Sequence, residues 1–330
     1  MNSFGRIFRI SIFGESHGQG LGVVVDGCQP GIKITADDFL YDIARRNPIE
    51  TGTTPRKEKD IPELVSGIFN DFTTGAPLMI LFRNEDVQSA GYDKYKDIPR
   101  PGHADFVASK KYKGFNDYRG GGMFSGRLTL PLIAAGVIAK KIIAPVNINA
   151  KLISASGTEN IEEAIKQAEI DKDSIGGIVE CIAENVPVGL GEPFFDGVES
   201  LISHIIFSIP GVKAIEFGAG TKSAEMKGSE FNDVYISSDG KTKTNYAGGV
   251  SGRLTNGNDL ILRVTFRPPS SIGKPQSTLN FAAGKVEELE VKGRHDVCFA
   301  RRTPVIVEAS VAIALADMNL IHNSQFKINN

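Results

Sequence analysis

Five glycine-bordered clusters in this 330-residue chain carry side chains able to do chemistry. The first is Gly14-Glu15-Ser16-His17-Gly18. A histidine in such a strand-end turn has no apolar face to fill, and imidazole, with a reference pKa of ~6.5, can give or take a proton near neutrality. His103, in Arg100-Pro101-Gly102-His103-Ala104-Asp105, is likewise a turn histidine beside a cation. Arg294-His295-Asp296 offers a guanidinium for an anion and a carboxylate base, although such a triplet alone is more often a surface ion pair. In the fourth cluster Arg119 and Gly120 to Gly122 precede Ser125 and Arg127, which turns backbone N–H groups and a hydroxyl toward an anion at a helix start. The fifth, Arg267-Pro268-Pro269-Ser270-Ser271, ends a strand in a stiff turn bearing two hydroxyls. Together they describe a site for a multiply charged phosphate or carboxylate ligand undergoing proton-coupled chemistry.

The elements that must position these residues read from the pattern. Arg6 to Phe13 and Leu21 to Val25 are expected strands around a glycine-rich turn. Thr35 to Asp38 resembles a capping box that opens a helix, which Pro48 ends. Arg45 and Arg46 fall in its last turn, where favourable interaction with the helix C-terminus and a binding role are about equally supported. The polar stretch Asn47 to Asp60 reads as a mobile surface loop. Ser125 to Ala144 reads as a buried helix, with Pro131 implying a kink or a later start. Asp196 and Glu199 would cap a helix that Pro210-Gly211 ends, Leu260 to Arg267 alternates as a strand, and Thr303-Pro304 opens a final helix through Met318. His204 sits on an apolar helical face, and His322 in a surface tail. The pentapeptide SGRLT occurs at Ser125 and again at Ser251; a duplicated half-domain and coincidence both fit.

Composition bounds the function. Thirty-seven Lys and Arg against 39 Asp and Glu leave a net charge of −2, which argues against a nucleic-acid or acidic-membrane binder. A hydrophobic fraction of 41% is ample for a core. The longest stretches without a charge, Ser200 to Val212 and Leu128 to Ala139, fall short of the ~20 apolar residues of a membrane span. Cys28, Cys181 and Cys298 are odd in number and widely spaced, which argues against disulfides and a metal site. With no secretory signal visible, a cytoplasmic location is expected, and no linker divides residues 1–330, so one domain is expected. The pattern G-x-S-x-G at Gly14 evokes a serine hydrolase using Ser16, but the following LGVVVDG is strand-like where a nucleophile elbow needs a helix. The glycines at 18, 20 and 22 fail the dinucleotide fingerprint for the same reason.

GESHGQGLGVVVDG, RPGHADF, YRGGG with its following Ser, and GRHDVC, in that order, resemble the chorismate synthase family from about Phe8 to Met318. The resemblance implies an α+β fold, a β-α-β sandwich with long helices between antiparallel sheets, and a homotetramer. It implies a lyase that converts 5-enolpyruvylshikimate 3-phosphate to chorismate and phosphate by 1,4-anti elimination, the last step of the shikimate pathway. Reduced FMN is required without net redox change, and no metal is implied. By similarity, His17 beside Ser16 would protonate the leaving phosphate, His103 would protonate the reduced flavin near N1, and Asp296 would assist deprotonation at N5. Ser16, Arg45, Arg46, Arg127 and Arg294 would meet the phosphate and carboxylates of the substrate. The FMN positions would be Ser125, Pro210, Gly211, Gly252, Arg267, Pro268, Pro269, Ser270, Ser271 and Arg294. Some relatives reduce their flavin with NADPH; without an added reductase domain, an external flavin reductase is expected here, with NADPH contributing only indirectly. The chain departs from the family pattern at Met123-Phe124, where Arg-Ser is usual, at Gly52, where a second Arg is frequent, at Val297, where Pro is usual, and in a shortened region around residues 155 to 175. A flavin- or phosphate-binding protein without turnover is the third reading, against which intact His17, His103 and Asp296 argue.

Overall fold

A computed structural model of the chain describes residues 2–47, 58–85, 91–291 and 295–325. Gly52 and Arg294 lie outside the described residues, as does most of the Asn47 to Asp60 stretch.

The first sheet starts with Ser3–Phe4 (β1), Arg9–Gly14 (β2) and Gly20–Asp26 (β3). The GESHG turn is therefore the tip of an antiparallel hairpin with Gly14 opposite Leu21, and no helix follows it. That geometry rules out the nucleophile elbow. Asp37–Arg46 (α1) begins where Thr35 N–H donates to Asp38 Oδ2 at 2.7 Å. Glu63–Ser66 (β4) and Leu78–Arg83 (β5) complete an all-antiparallel sheet in the order β1-β2-β3-β5-β4. Leu21, Val23 and Val25 alternate inward along β3, as do Leu78, Ile80 and Phe82 along β5, so one face of the sheet is a continuous apolar surface.

Asp105–Lys111 (α2) is a short surface helix. Thr129–Ile142 (α3) begins later than Ser125, after a 3₁₀ turn over Gly126–Leu128, and this delay lets Pro131 occupy its first turn, where its missing N–H has no helical acceptor to lose. Asn147–Ala155 (β6), Gly177–Glu184 (β7), Val212–Phe217 (β8) and Leu260–Phe266 (β9) form a second antiparallel sheet in the order β8-β9-β7-β6. Two further helices, Ile161–Ile170 (α4) and Val198–Ile206 (α5), precede β7 and β8 respectively. Gly197 is the cap residue of α5, and the cap expected of Asp196 goes instead into an ion pair with Arg6 at 2.5 Å.

The last helix, Pro304–Gln325 (α6), runs past Met318. It is long and apolar enough to cross a membrane, yet 83% of its most apolar window is buried inside the fold. It packs on α3 and on β6 and β7, while α3 packs on β3. Gly136 of α3 meets α6 so closely that a Cβ there would lie 2.3 Å from that of Ala309. Two carboxylates on α6 tie distant segments together. Asp317 accepts backbone N–H bonds from Arg6, Ile7 and Phe8 at 2.7–2.9 Å, and Glu308 accepts from Arg45, Lys140 and the Ala150 N–H. The two SGRLT copies adopt different backbones: the first caps the 3₁₀ turn before α3, and the second is a hairpin pairing Val250–Ser251 with Leu254–Thr255.

Candidate functional site

A cavity of about 330 Å³ opens between the C-terminal end of α1, the 3₁₀ turn before α3, the Pro210-Gly211 turn, the end of β9 and the start of α6. Of the residues singled out in the sequence, Arg46, Ser125, Arg127, Pro210, Gly211, Arg267, Pro269, Ser270, Ser271 and Asp296 line it. The local sequence explains each placement. Ser125 is extended at the cap position, where its Oγ accepts the Arg127 N–H at 3.4 Å. Gly211, at φ +90°, brings the backbone so close to Phe299 that a Cβ would lie 2.2 Å from the ring.

Charge is concentrated here. Arg46 is fully buried, with Nε donating to Thr129 Oγ1 at 3.2 Å and Nη2 to the Gly126 carbonyl at 3.3 Å. Burial and the neighbouring Arg302 and Arg127 push its pKa down to about 9, against the opposing pull of Asp60 and Asp296, so the guanidinium stays charged at neutral pH. Arg127 Nη1 lies 2.8 Å from Asp60, and Arg302 bridges the Arg46 carbonyl to the Asp296 carboxylate. Among the described residues, four arginines (Arg46, Arg127, Arg267, Arg302) face three carboxylates (Glu58, Asp60, Asp296) in the lining. The side chains of Glu58 and Asp60 are buried, which corrects the reading of this end of the 47–60 stretch as surface loop: the arginines draw it inward.

The two histidines flank a triglycine turn beside the cavity. Gly120, Gly121 and Gly122 all have positive φ, at 58°, 83° and 53°. A Cβ on Gly120 would stand 2.4 Å from His17 Cδ2 and Nε2, and one on Gly121 would stand 3.5 Å from His103 Cε1 and Nε2. His17 is buried, with its ring edge-on to Tyr92 at 5.2 Å. Asn84, at the end of β5, fixes the turn that carries Ser16 and His17: its Nδ2 donates to the Glu15 and Gly18 carbonyls, and its Oδ1 accepts from Arg127 Nε at 2.7 Å.

His103 is oriented by Asp105, whose carboxylate lies 2.6 Å from Nδ1. Arg100 Nη2 also approaches Nδ1, at 3.1 Å, but it binds the same carboxylate bidentately at 2.8 Å, so Nδ1–H donates to Asp105 and Nε2 is left toward Gly121. Burial opposes ionisation of Asp105, yet the bonds from Arg100 and His103 outweigh it and hold the carboxyl well below the usual carboxylate range. Arg100 Nη1 reaches Ser271 Oγ at 3.3 Å, which joins this unit to the cavity wall.

Other expected residues lie elsewhere. Arg45 is outside the lining, held by Glu308 at 2.6 and 2.7 Å and by Asp42, a structural pairing that the last-turn position on α1 permits. Gly252 is the tip of the Val250–Thr255 hairpin, with open space around it. Pro268 is next to the lining but not in it, and Met123 faces a second cavity of about 470 Å³ that shares Thr129 and Pro210. Asn84, Asp60, Asp105 and Arg302 were missed as site residues. Only the R-P-G-H-A-D spacing of Arg100, His103 and Asp105 carried a local signal; the others depend on pairings across the fold.

The lining combines guanidinium, hydroxyl and apolar groups (Ile209, Phe299, Ile306), which fits a planar aromatic cofactor bearing a phosphate. Buried Arg127 Nη2 has no hydrogen-bond partner among the described residues, with the Glu58 carboxylate 3.9 Å away, which leaves it a donor able to meet an anion. Among the described residues, no group of three or more His, Cys, Asp or Glu could hold a metal ion.

Comparison with known proteins gives the same direction. The family model for chorismate synthase matches residues 8–320. A chorismate synthase of Chitinophaga pinensis is 56% identical over 329 residues, covering 99% of each chain, and that of Pyrococcus abyssi is 43% identical over 95% of this chain and 96% of its own. A crystal structure of chorismate synthase superposes with a TM-score of 0.75 over 96% of this chain and 93% of its own at 23% identity, a likeness of fold. On a match that spans nearly its whole length, the chain belongs to the chorismate synthase family.

Proposed function

We propose that the arginine-lined cavity and the adjoining His17–Gly120–Gly121–His103 turn form the active site of a chorismate synthase. The chain is a carbon–oxygen lyase of the shikimate pathway that takes 5-enolpyruvylshikimate 3-phosphate and depends on reduced FMN. In the reaction the C3–O bond to phosphate and the C6–H bond break, and a second ring double bond forms. Arg46 and Arg127 neutralise the departing phosphate, and their burial strengthens that interaction. His17 supplies its proton. Ser125, Gly211, Arg267 and the Ser270-Ser271 pair hold the cofactor; when bound, reduced FMN supplies the electron density that makes loss of an unacidic hydrogen feasible. His103, with its tautomer set by Asp105, would present Nε2 on the cofactor side, and Asp296 would assist deprotonation of the bound cofactor, the role the family resemblance gives it. Arg294 joins the phosphate and carboxylate contacts by family resemblance alone. Arg45 is left to its structural pair. The observation that carries the reading is the placement of both histidines on adjacent glycines of one turn beside the guanidinium cluster.

The finer architecture belongs to this reading too: a single domain, with α3 and α6 sandwiched between the two sheets, supported by one apolar cluster that includes residues of both sheets. A homotetramer, an external flavin reductase and a cytoplasmic location complete it, the last supported by three buried, unpaired cysteines. Anaerobic incubation with 5-enolpyruvylshikimate 3-phosphate and photoreduced FMN tests it. Equal release of chorismate and phosphate, absent with oxidised FMN, is the expected result. Tight binding of both molecules without turnover would refute it in favour of a binding protein.

A further inference from the structure

His295, next to Asp296, also lines the cavity. One ring nitrogen bonds the Val291 backbone. The other, Nε2, is buried and has no hydrogen-bond partner among the described residues. The Val291 bond therefore assigns the proton to Nδ1, and Nε2 carries a lone pair. Burial, with nearby Arg100, favours this neutral form over the imidazolium. Nearby donors are already engaged: Arg100 binds Asp105, approaches His103 and reaches Ser271, while Arg302 binds the Arg46 carbonyl and Asp296. A buried acceptor left empty in a cavity lined by polar groups is a place for a ligand atom.

We propose that His295 contacts the bound molecules directly, its Nε2 accepting a hydrogen bond from an N–H or O–H donor of the ligand. The proposal rests on the reading of this cavity as the active site. It gives the site a neutral acceptor among guanidiniums and carboxylates, suited to a flavin ring N–H or a substrate hydroxyl and unsuited to a phosphate or carboxylate, which has only acceptors to offer.

The test uses the whole protein labelled with nitrogen-15 histidine, with the His295 Nε2 resonance assigned by its loss in His295→Gln. Oxidised FMN and 5-enolpyruvylshikimate 3-phosphate are added separately and together while calorimetry records binding. A shift of that resonance on adding FMN identifies the flavin as donor; a shift only with substrate identifies the hydroxyl. Calorimetry on His295→Leu should then show roughly 3- to 10-fold weaker binding of the identified ligand, with His295→Gln, which keeps an acceptor, within about threefold of wild type. Binding of both ligands with the resonance unmoved overturns the role of His295 and leaves the active-site reading intact. Failure of either ligand to bind the wild-type protein overturns both.

Discussion

Substitution of the first two glycines of the triglycine turn separates backbone strain from displacement of the acid. Gly120 and Gly121 both have positive φ, so alanine at either costs about 1–2 kcal/mol of left-handed strain. Their surroundings differ. The new methyl at 121 would meet His103 at 3.5 Å, an ordinary contact, whereas at 120 it would meet His17 at 2.4 Å. Relief of that overlap needs a movement of roughly 1 Å, and His17 is held by Tyr92 and by a turn pinned through Asn84. A displacement of that size at a reacting group costs on the order of 100-fold in rate. Gly120→Ala should therefore lose about 100-fold in kcat, and Gly121→Ala no more than a few fold, although urea titrations show similar destabilisation. Phosphate release measured anaerobically with photoreduced FMN reads the rates. Equal rate losses in the two variants, or near-normal turnover in Gly120→Ala, would refute the placement of His17 as the acid.

Three further perturbations probe the charges. Asp105 has a depressed pKa in the folded state, so its contribution to stability is complete above the unfolded value of ~3.9 and is lost as pH falls through the folded one; acid titration of Asp105→Asn should lack that part of the wild-type slope. Asp60→Asn removes the nearest carboxylate of buried Arg127 and should destabilise the free protein by about 3 kcal/mol, while millimolar phosphate stabilises the variant more than wild type in thermal unfolding; equal stabilisation would mean that the guanidiniums do not take anions. Glu308→Ala leaves Arg45 and Lys140 to share Asp42 and should cost about 3 kcal/mol in urea unfolding with kcat/KM nearly unchanged; a tenfold loss in kcat/KM with the fold intact would return Arg45 to the substrate.

What the sequence made legible follows the range of the interactions. The hairpin around GESHG, the start of α1 and the strand before Arg267 rest on local patterns, and the structure places them within a few residues of expectation. The end of α6 was underestimated: the helix continues past Met318 to Gln325, and the Asp317 it carries is satisfied by three N–H groups from residues 6 to 8, some 310 positions away. The cap of α5 was misassigned for a related reason: Asp196 has a cation from the N-terminal segment, and Gly197 alone supplies the extended backbone a cap needs.

The site divides along the same line. Glycine-bordered histidines, the triglycine turn and the Ser270-Ser271 pair announce themselves, since each is a run of neighbours with an unusual conformational need. Asn84 does not, because a single asparagine at a strand end resembles any loop residue until Arg127 and the His17 turn are both seen to bond it. Asp60 reads as part of a charged loop until two buried guanidiniums draw it in. Arg45 and Arg46 show how little the sequence could decide: adjacent on one helix turn, they point about 100° apart, and that rotation sends one to Glu308 and the other into the cavity. This pair of neighbouring arginines thus contributes one guanidinium to the cavity and one to the scaffold, and which is which is set by the carboxylate waiting on α6.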